Sequence, residues 1–175
     1  MSEFKKTVFK AEHIFDSKNK RHYNNGVLSV LHCHHYTSLY SQLAIDAKET
    51  MLLTDVAEDA FYVPLVDYFT ANHIDSLAEK IELACQYYAF LGMGKMTVTS
   101  LGEDSGVVEL ANSHLDEGWK KKWGTYDKPV NYITAGFIAA LFAAVLNKSV
   151  RSFTVSEVAS IVMGAKQSLF NVVKK

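Results

Sequence analysis

The longest uncharged apolar run in the chain extends from Val130 to Asn147. It reads Val-Asn-Tyr-Ile-Thr-Ala-Gly-Phe-Ile-Ala-Ala-Leu-Phe-Ala-Ala-Val-Leu-Asn, and no polar stripe recurs at the helical period. A helix that is apolar all round is a buried helix. The run is too short, and too interrupted by Asn131, Thr134 and Gly136, to span a bilayer. Its small residues (Ala135, Gly136, Ala139, Ala140, Ala143, Ala144) allow another backbone to approach closely. Phe137, Ile138, Leu141, Phe142 and Val145 fill the remaining space. Lys148 is placed to close the helix, where a cation suits the negative end of the dipole. Two strand-like runs follow, Ser152 to Val162 and Leu169 to Val173. The segment Met163–Gln167 joins them and contains Gly164, which predicts a hairpin.

Earlier in the chain the pattern changes several times. Phe9 to Phe15 alternates loosely and predicts an edge strand, followed by polar turns at Asp16–Lys20 and Asn24-Asn25-Gly26. Arg21 to Tyr23 and Val27 to Tyr36 read as strands. In a strand the side chains alternate, so His32 and His34 would share one face and Cys33 and His35 the other. Thr37-Ser38 predicts the start of a helix running to about Glu49, with Leu39, Leu43 and Ala47 on one face. Thr54-Asp55 marks a second helix, kinked or broken at Pro64. Ser76 with Glu79 marks a third as a capping box, stopped by Gly92 and Gly94. Met96–Leu101 and Val107–Ala111 predict a hairpin around Gly102–Gly106. Asn112 to Trp119 reads as an irregular segment or a single helical turn, and Lys120 to Lys128 as a polar connection. The order predicts an α+β fold, an antiparallel sheet with helices packed on it, in one domain over residues 1–175.

Composition narrows the function classes. The chain has 175 residues, 18 basic and 19 acidic, for a formal net charge of −1. That balance supplies no nucleic-acid field, and the short Lys120-Lys121-Lys122 patch is offset by Asp116 and Glu117. Two cysteines, Cys33 and Cys85, and an N-terminus without an apolar leader core predict a reducing, cytoplasmic setting without a structural disulfide. Neither nucleic acid nor membrane is expected as a partner.

The candidate chemistry is concentrated in few places. His32-Cys33-His34-His35 offers four potential ligands in four residues, suited to iron, zinc, copper or an axial haem bond. No one face of a strand holds three of them, so a metal would need a distant donor, for which His114, His73 and Cys85 are candidates. The alternatives are an ordinary core-and-surface split, or polar contacts to an organic ligand. Trp119 reads either as a pocket wall, with His114 as its polar handle, or as a core plug. Phe137, Leu141, Tyr87, Tyr88, Phe61, Tyr62 and Phe69, with Trp119, are candidates for one apolar cavity or for ordinary core. Glu103-Asp104 and Asp116-Glu117 read as solvated turn carboxylates. Nucleophile elbows, phosphate loops and metalloprotease motifs are absent, so an enzymatic role has no support in the motifs.

The order Lys-Pro-Val-x-Tyr (Lys128–Tyr132), Gly-Phe-Ile (136–138) and Glu-x-x-Ser-x-x-Met-Gly-x-x-x-Ser-x-Phe (157–170) resembles the 4-vinyl reductase domain family. That family includes archaeal hydrocarbon-binding proteins and the sensor domains of phenol-responsive activators. It shares a fold, the NO-signalling and Golgi-transport ligand-binding type, with vesicle-tethering subunits. The resemblance covers residues 95–175. It implies a homodimer that binds a small hydrophobic or aromatic molecule, or a tetrapyrrole, without catalysis, and passes a signal or the ligand to a partner. His114, Trp119, Tyr132, Phe137 and Leu141 are the implied ligand contacts. A metal or haem protein using His32, Cys33, His34 and His35, and a dimeric interaction scaffold, are the alternatives. Zinc-binding members carry a Cys before the helix glycine, then a Glu, a Cys three residues on and a Cys eight further. Here those positions read Asn131, Glu157, Ser160 and Ser168. Serine hydroxyls are poor zinc ligands at neutral pH, so zinc is not expected, and a hydrogen-bonded corner beside Glu157 is.

Overall fold

The computed structural model describes residues 7–30 and 33–175. An N-terminal antiparallel sheet comprises β1 (His13–Asp16), β2 (Arg21–Asn24) and β3 (Val27–Ser29), in that order. Asn25 and Gly26, both at positive φ, turn β2 into β3, the hairpin use of an Asn-Gly pair.

The strand expected through Tyr36 ends at Ser29. Helix α1 (His34–Ala47) already begins at His34, with Cys33 in extended conformation as its cap. His34 and His35 therefore lie in a helical first turn, and the two-faced strand arrangement of the histidines does not occur. His32 lies outside the described residues. The helix starts earlier than Thr37-Ser38, and Thr37, Ser38 and Ser41 form its buried face. Tertiary packing uses polar residues there, where hydrophobic periodicity looks for apolar ones.

Helix α2 (Thr50–Ala71) runs continuously through Pro64, and α3 (Leu77–Phe90) starts after Ser76 without a side-chain capping bond. Strands β4 (Gly94–Leu101) and β5 (Ser105–Ser113) form the expected hairpin, so Gly94 opens a strand instead of ending a helix. Helix α4 (His114–Trp123) extends over three turns' length where a single turn was expected. Its Ser113 cap accepts a bond from the Asp116 amide at 3.1 Å. Helix α5 (Tyr132–Val145) is the buried helix, followed by β6 (Phe153–Ala159), a turn of 3-10 helix (Ile161–Met163) and β7 (Ser168–Lys174). The second sheet is antiparallel throughout, in the order β4-β5-β7-β6.

Helix α5 lies between this sheet and α2. Toward the sheet, Phe142 meets Phe153 edge-on at 5.7 Å; toward α2, Phe137 meets Phe61 at 5.0 Å. Every residue from Thr134 to Val145 is buried. The loop after α5 is tied to α2 by Arg151. Its backbone N–H and guanidinium donate to the buried Glu58 at 2.7 and 2.8 Å, and it also pairs with Asp55 and Asp59. No helix among the described residues is long and apolar enough to cross a membrane.

Candidate functional site

Three features are candidates for a site. The first is a buried polar corner. Asn131, the residue before α5, donates from its side-chain nitrogen to Glu157 Oε1 at 2.9 Å and to Asp116 Oδ2 at 2.7 Å. Its backbone N–H donates to Glu157 Oε2 at 3.3 Å, and its Oδ1 accepts from Ser113 Oγ at 3.2 Å. One asparagine thus uses all its donors to hold two carboxylates from different elements. Ser160 and Ser168 are buried beside them, and Ser168 Oγ accepts from the Ile161 amide at 3.1 Å.

Burial raises the carboxyl pKa of both Asp116 and Glu157, against the opposing hydrogen bonds from Asn131. The neighbouring negative charge of Asp116 raises Glu157 further. Tyr88, whose hydroxyl shares a 2.9 Å hydrogen bond with Thr134, is also pushed up, mainly by burial. The donor set here is an amide, two carboxylates and hydroxyls, with no thiolate or imidazole, and does not fit the zinc of the resembled site.

Asp116 is the residue the sequence reading missed. It was expected in a solvated turn and is fully buried. The signal was present in Ser113-x-x-Asp116, the spacing of a helix N-cap with an acid in the first turn.

The second feature is the histidine cluster. Cys33 Sγ lies 3.4 Å from His35 Nδ1, and the rings of His34 and His35 are 4.4 Å apart. His114, at the start of α4, meets His34 edge-on at 5.7 Å. The approach of the two helices depends on Gly118, where a Cβ would lie 2.7 Å from Ser38 Oγ and 2.9 Å from His34 Cβ. Among the described residues no three His, Cys, Asp or Glu side chains are arranged to hold a metal ion. His73 lies in the turn after α2 and Cys85 in the middle of α3, and burial pushes the Cys85 thiol up to about 11.

The third feature is cleft space. Phe137, Leu141 and Trp119, read as walls of one apolar cavity or as ordinary core, lie in two packed cores. Phe137 and Leu141 are fully buried in the main core, with Phe137 against Tyr88 at 4.8 Å. Trp119 belongs to a separate small core with Leu115, Val130 and Val162, with the rings of Trp123 and Tyr126 tilted against it. Tyr132 does line open space, a cleft of about 220 Å³ with Ala135, Ala139 and Phe153 that reaches Asn131 and Glu157. A larger cleft, about 510 Å³, lies between the N-terminal sheet and helices α2 and α3. Phe9, Leu65, Tyr68, Phe69, Leu83 and Tyr87 wall it, and Asn24, Asn25 and Asn72 add side-chain amides.

No family model matches the sequence, and no curated protein matches it. Solved structures do. The phenol-responsive sensory domain of the transcription activator PoxR, crystallised with phenol, superposes with a TM-score of 0.77 at 12% identity, over 93% of this chain and 84% of that one. A vinyl-4-reductase family protein from Methanocaldococcus jannaschii gives 0.54 at 14% identity, over 84% of each chain. A trafficking protein particle complex subunit 3 from Naegleria fowleri, covalently bound to palmitic acid, gives 0.52 at 18% identity, over 80% and 90%. The chain has the α+β fold that a phenol sensor, a vinyl-4-reductase family protein and a trafficking subunit share.

Proposed function

We propose that this chain is a non-catalytic binding module for a small aromatic molecule, held in the cleft between the N-terminal sheet and helices α2 and α3. The observation that carries the reading is that cleft. Its volume of about 510 Å³ lies within the usual range of small-molecule sites, roughly 300–1,000 Å³. Four aromatic rings line it, and the Asn24 amide offers a hydroxyl group a donor and an acceptor, while the amides of Asn25 and Asn72 are held by Glu12, Lys10 and Tyr68. The phenol present in the PoxR domain crystal supports the ligand class.

Titrating the full chain with phenol tests this by two-dimensional amide NMR. Saturable shifts are expected at Asn24, Asn25, Tyr68, Asn72 and Tyr87, and Ala71→Trp, which places an indole in the cleft, should abolish them. Shifts centred instead on Tyr132 and Glu157, or none at all, would overturn the assignment.

A second observation favours the expected homodimer. Along α1, Tyr36, Leu39, Tyr40 and Leu43 are exposed at 53%, 38%, 46% and 54%, while the polar Thr37, Ser38 and Ser41 face inward. The spacing i, i+3, i+4, i+7 makes one apolar stripe turned to solvent. On the N-terminal sheet Ile14 and Leu28 flank Tyr23 across the strands and are exposed too. Contiguous apolar surface of this kind marks an interaction face. The unaltered chain is expected to sediment as a dimer, and Leu39→Glu with Leu43→Glu as a folded monomer. A monomeric unaltered chain would remove the dimer from the proposal.

A further inference from the structure

Lys80, in the first turn of α3, is buried to 9% relative exposure. Removing an ammonium from water is costly unless a charge or a full set of acceptors replaces the hydration. Among the described residues no carboxylate forms an ion pair with it. Its hydrogen bond is to Asn147 Oδ1, at 3.5 Å, and its Nζ lies 5.8 Å from the centre of the Phe69 ring. Glu79, its neighbour in sequence, is engaged by the Thr7 hydroxyl. The ends of α2 and α5 nearby supply carbonyl dipoles, which favour a cation but leave its three donors largely unused.

Lys80 and Asn147 line a pocket of about 310 Å³. Val66, Phe69 and Ile74 give it an apolar wall, and the exposed residues His73 and Asp75 lie along it. Phe69 also lines the larger cleft, so its ring stands between the two spaces.

We infer that this pocket is a second binding site, for a small monocarboxylate with an apolar body, whose carboxylate is held by Lys80 and Asn147. The charge count selects the class. One buried ammonium matches one negative charge, and Asp75 on the same pocket disfavours a dianion such as phosphate. The apolar wall beside Lys80 accepts a ring or a branched chain. The inference does not rest on the phenol reading, because it uses a different cleft and a different polar group.

Benzoate is the probe, with benzamide as its neutral counterpart of the same shape, both titrated into the unaltered full chain by amide NMR. Benzoate is expected to bind saturably with shifts at His73, Ile74, Lys80 and Asn147, undiminished by saturating phenol, while benzamide causes none. Lys80→Met keeps the stem length and removes the charge. It should stay folded and weaken benzoate by about tenfold or more, the loss of one charge-assisted hydrogen bond. Equal responses to benzoate and benzamide, shifts centred elsewhere, or unchanged benzoate affinity in folded Lys80→Met would each overturn the site. Because the benzamide comparison needs no variant, it decides even if Lys80→Met fails to fold.

Discussion

Gly136→Val is expected to prevent folding at ordinary temperature, and Gly136→Ala to lower stability by about 1–3 kcal/mol, the usual cost of overpacking a core. The cause lies in backbone contact between helices α5 and α2. A Cβ at Gly136 would run into the carbonyl oxygen of Thr54, and would lie 2.6 Å from Ala57 Cβ and 2.9 Å from the Glu58 amide nitrogen. These neighbours are mostly main chain, so no rotamer change relieves them and the helices must move apart. Separation would open the main core along Phe61–Phe137 and pull Glu58 from Arg151. Alanine's better helix propensity, about 1 kcal/mol over glycine, works in the other direction, so the measured loss is a net value. Urea unfolding monitored by circular dichroism reads it. Gly102→Ala is the control, because its Cβ would meet only the Ser105 carbonyl, at 3.3 Å, in a surface hairpin turn. A Gly136→Ala protein as stable as the parent would show that the helices do not need this close approach.

Asn131→Leu should cost about 3 kcal/mol or more at neutral pH. The substitution keeps the branching at Cγ but removes the side-chain amide donors that Asp116 and Glu157 share, leaving each buried carboxylate one partner fewer. Each buried polar group left unsatisfied costs about 1–3 kcal/mol, and charged groups more.

The loss should depend on pH with a definite sign. Both carboxyls have folded pKa values above their ordinary 3.8 and 4.5. The folded protein therefore binds these protons more tightly than the unfolded chain does. Their contribution to stability is fully present below the ordinary values, and is lost as pH rises through the raised folded ones. In the parent, Asn131 hydrogen bonds oppose that rise. Without them both values climb further, so the difference between parent and variant widens from acid toward neutral pH. Glu157→Gln, which does not titrate, should flatten the parent's slope over the same window. Urea midpoints measured across pH 4 to 8 check this, and a parent-to-variant gap that is constant or narrows with pH would contradict the shared-donor account of the corner.

The corner also shows how far residue types alone can be read. The positions Asn131, Glu157, Ser160 and Ser168 were legible through spacing against a family pattern. That they are unsuited to zinc followed from ligand chemistry. Asp116 was not legible as a partner, because an Asp-Glu pair beside a glycine looks like a solvated turn until its helix is packed against α1 and Asp116 meets Asn131. The same limitation explains α1. Val27 to Tyr36 has the composition of a strand, but the inward face of the helix that begins at His34 is made of Thr37, Ser38 and Ser41. Hydrophobic periodicity cannot announce a helix whose buried side is polar.

The choice between cavity and core was not legible for a related reason. Phe137, Leu141 and Trp119 have the composition of pocket walls and of core alike, and only their neighbours distinguish the two. Here Tyr88 and Phe61 close around Phe137, while Trp123 and Tyr126 cover Trp119. Open space appears instead beside Tyr87 and Phe69, and beside Tyr132, where elements distant in sequence meet imperfectly.

By itself the sequence determined the α+β class, the buried α5 helix and both C-terminal hairpin strands, because uncharged helical runs and β-rich segments near glycine turns leave few other ways to bury their surface. Tertiary structure alone decided that α1 turns its apolar side outward, that Asp116 joins Glu157 through one asparagine, that Lys80 is buried without a carboxylate, and where the clefts lie. Each of these is set by contacts between residues tens of positions apart, whose energy depends on which surfaces meet and not on local composition.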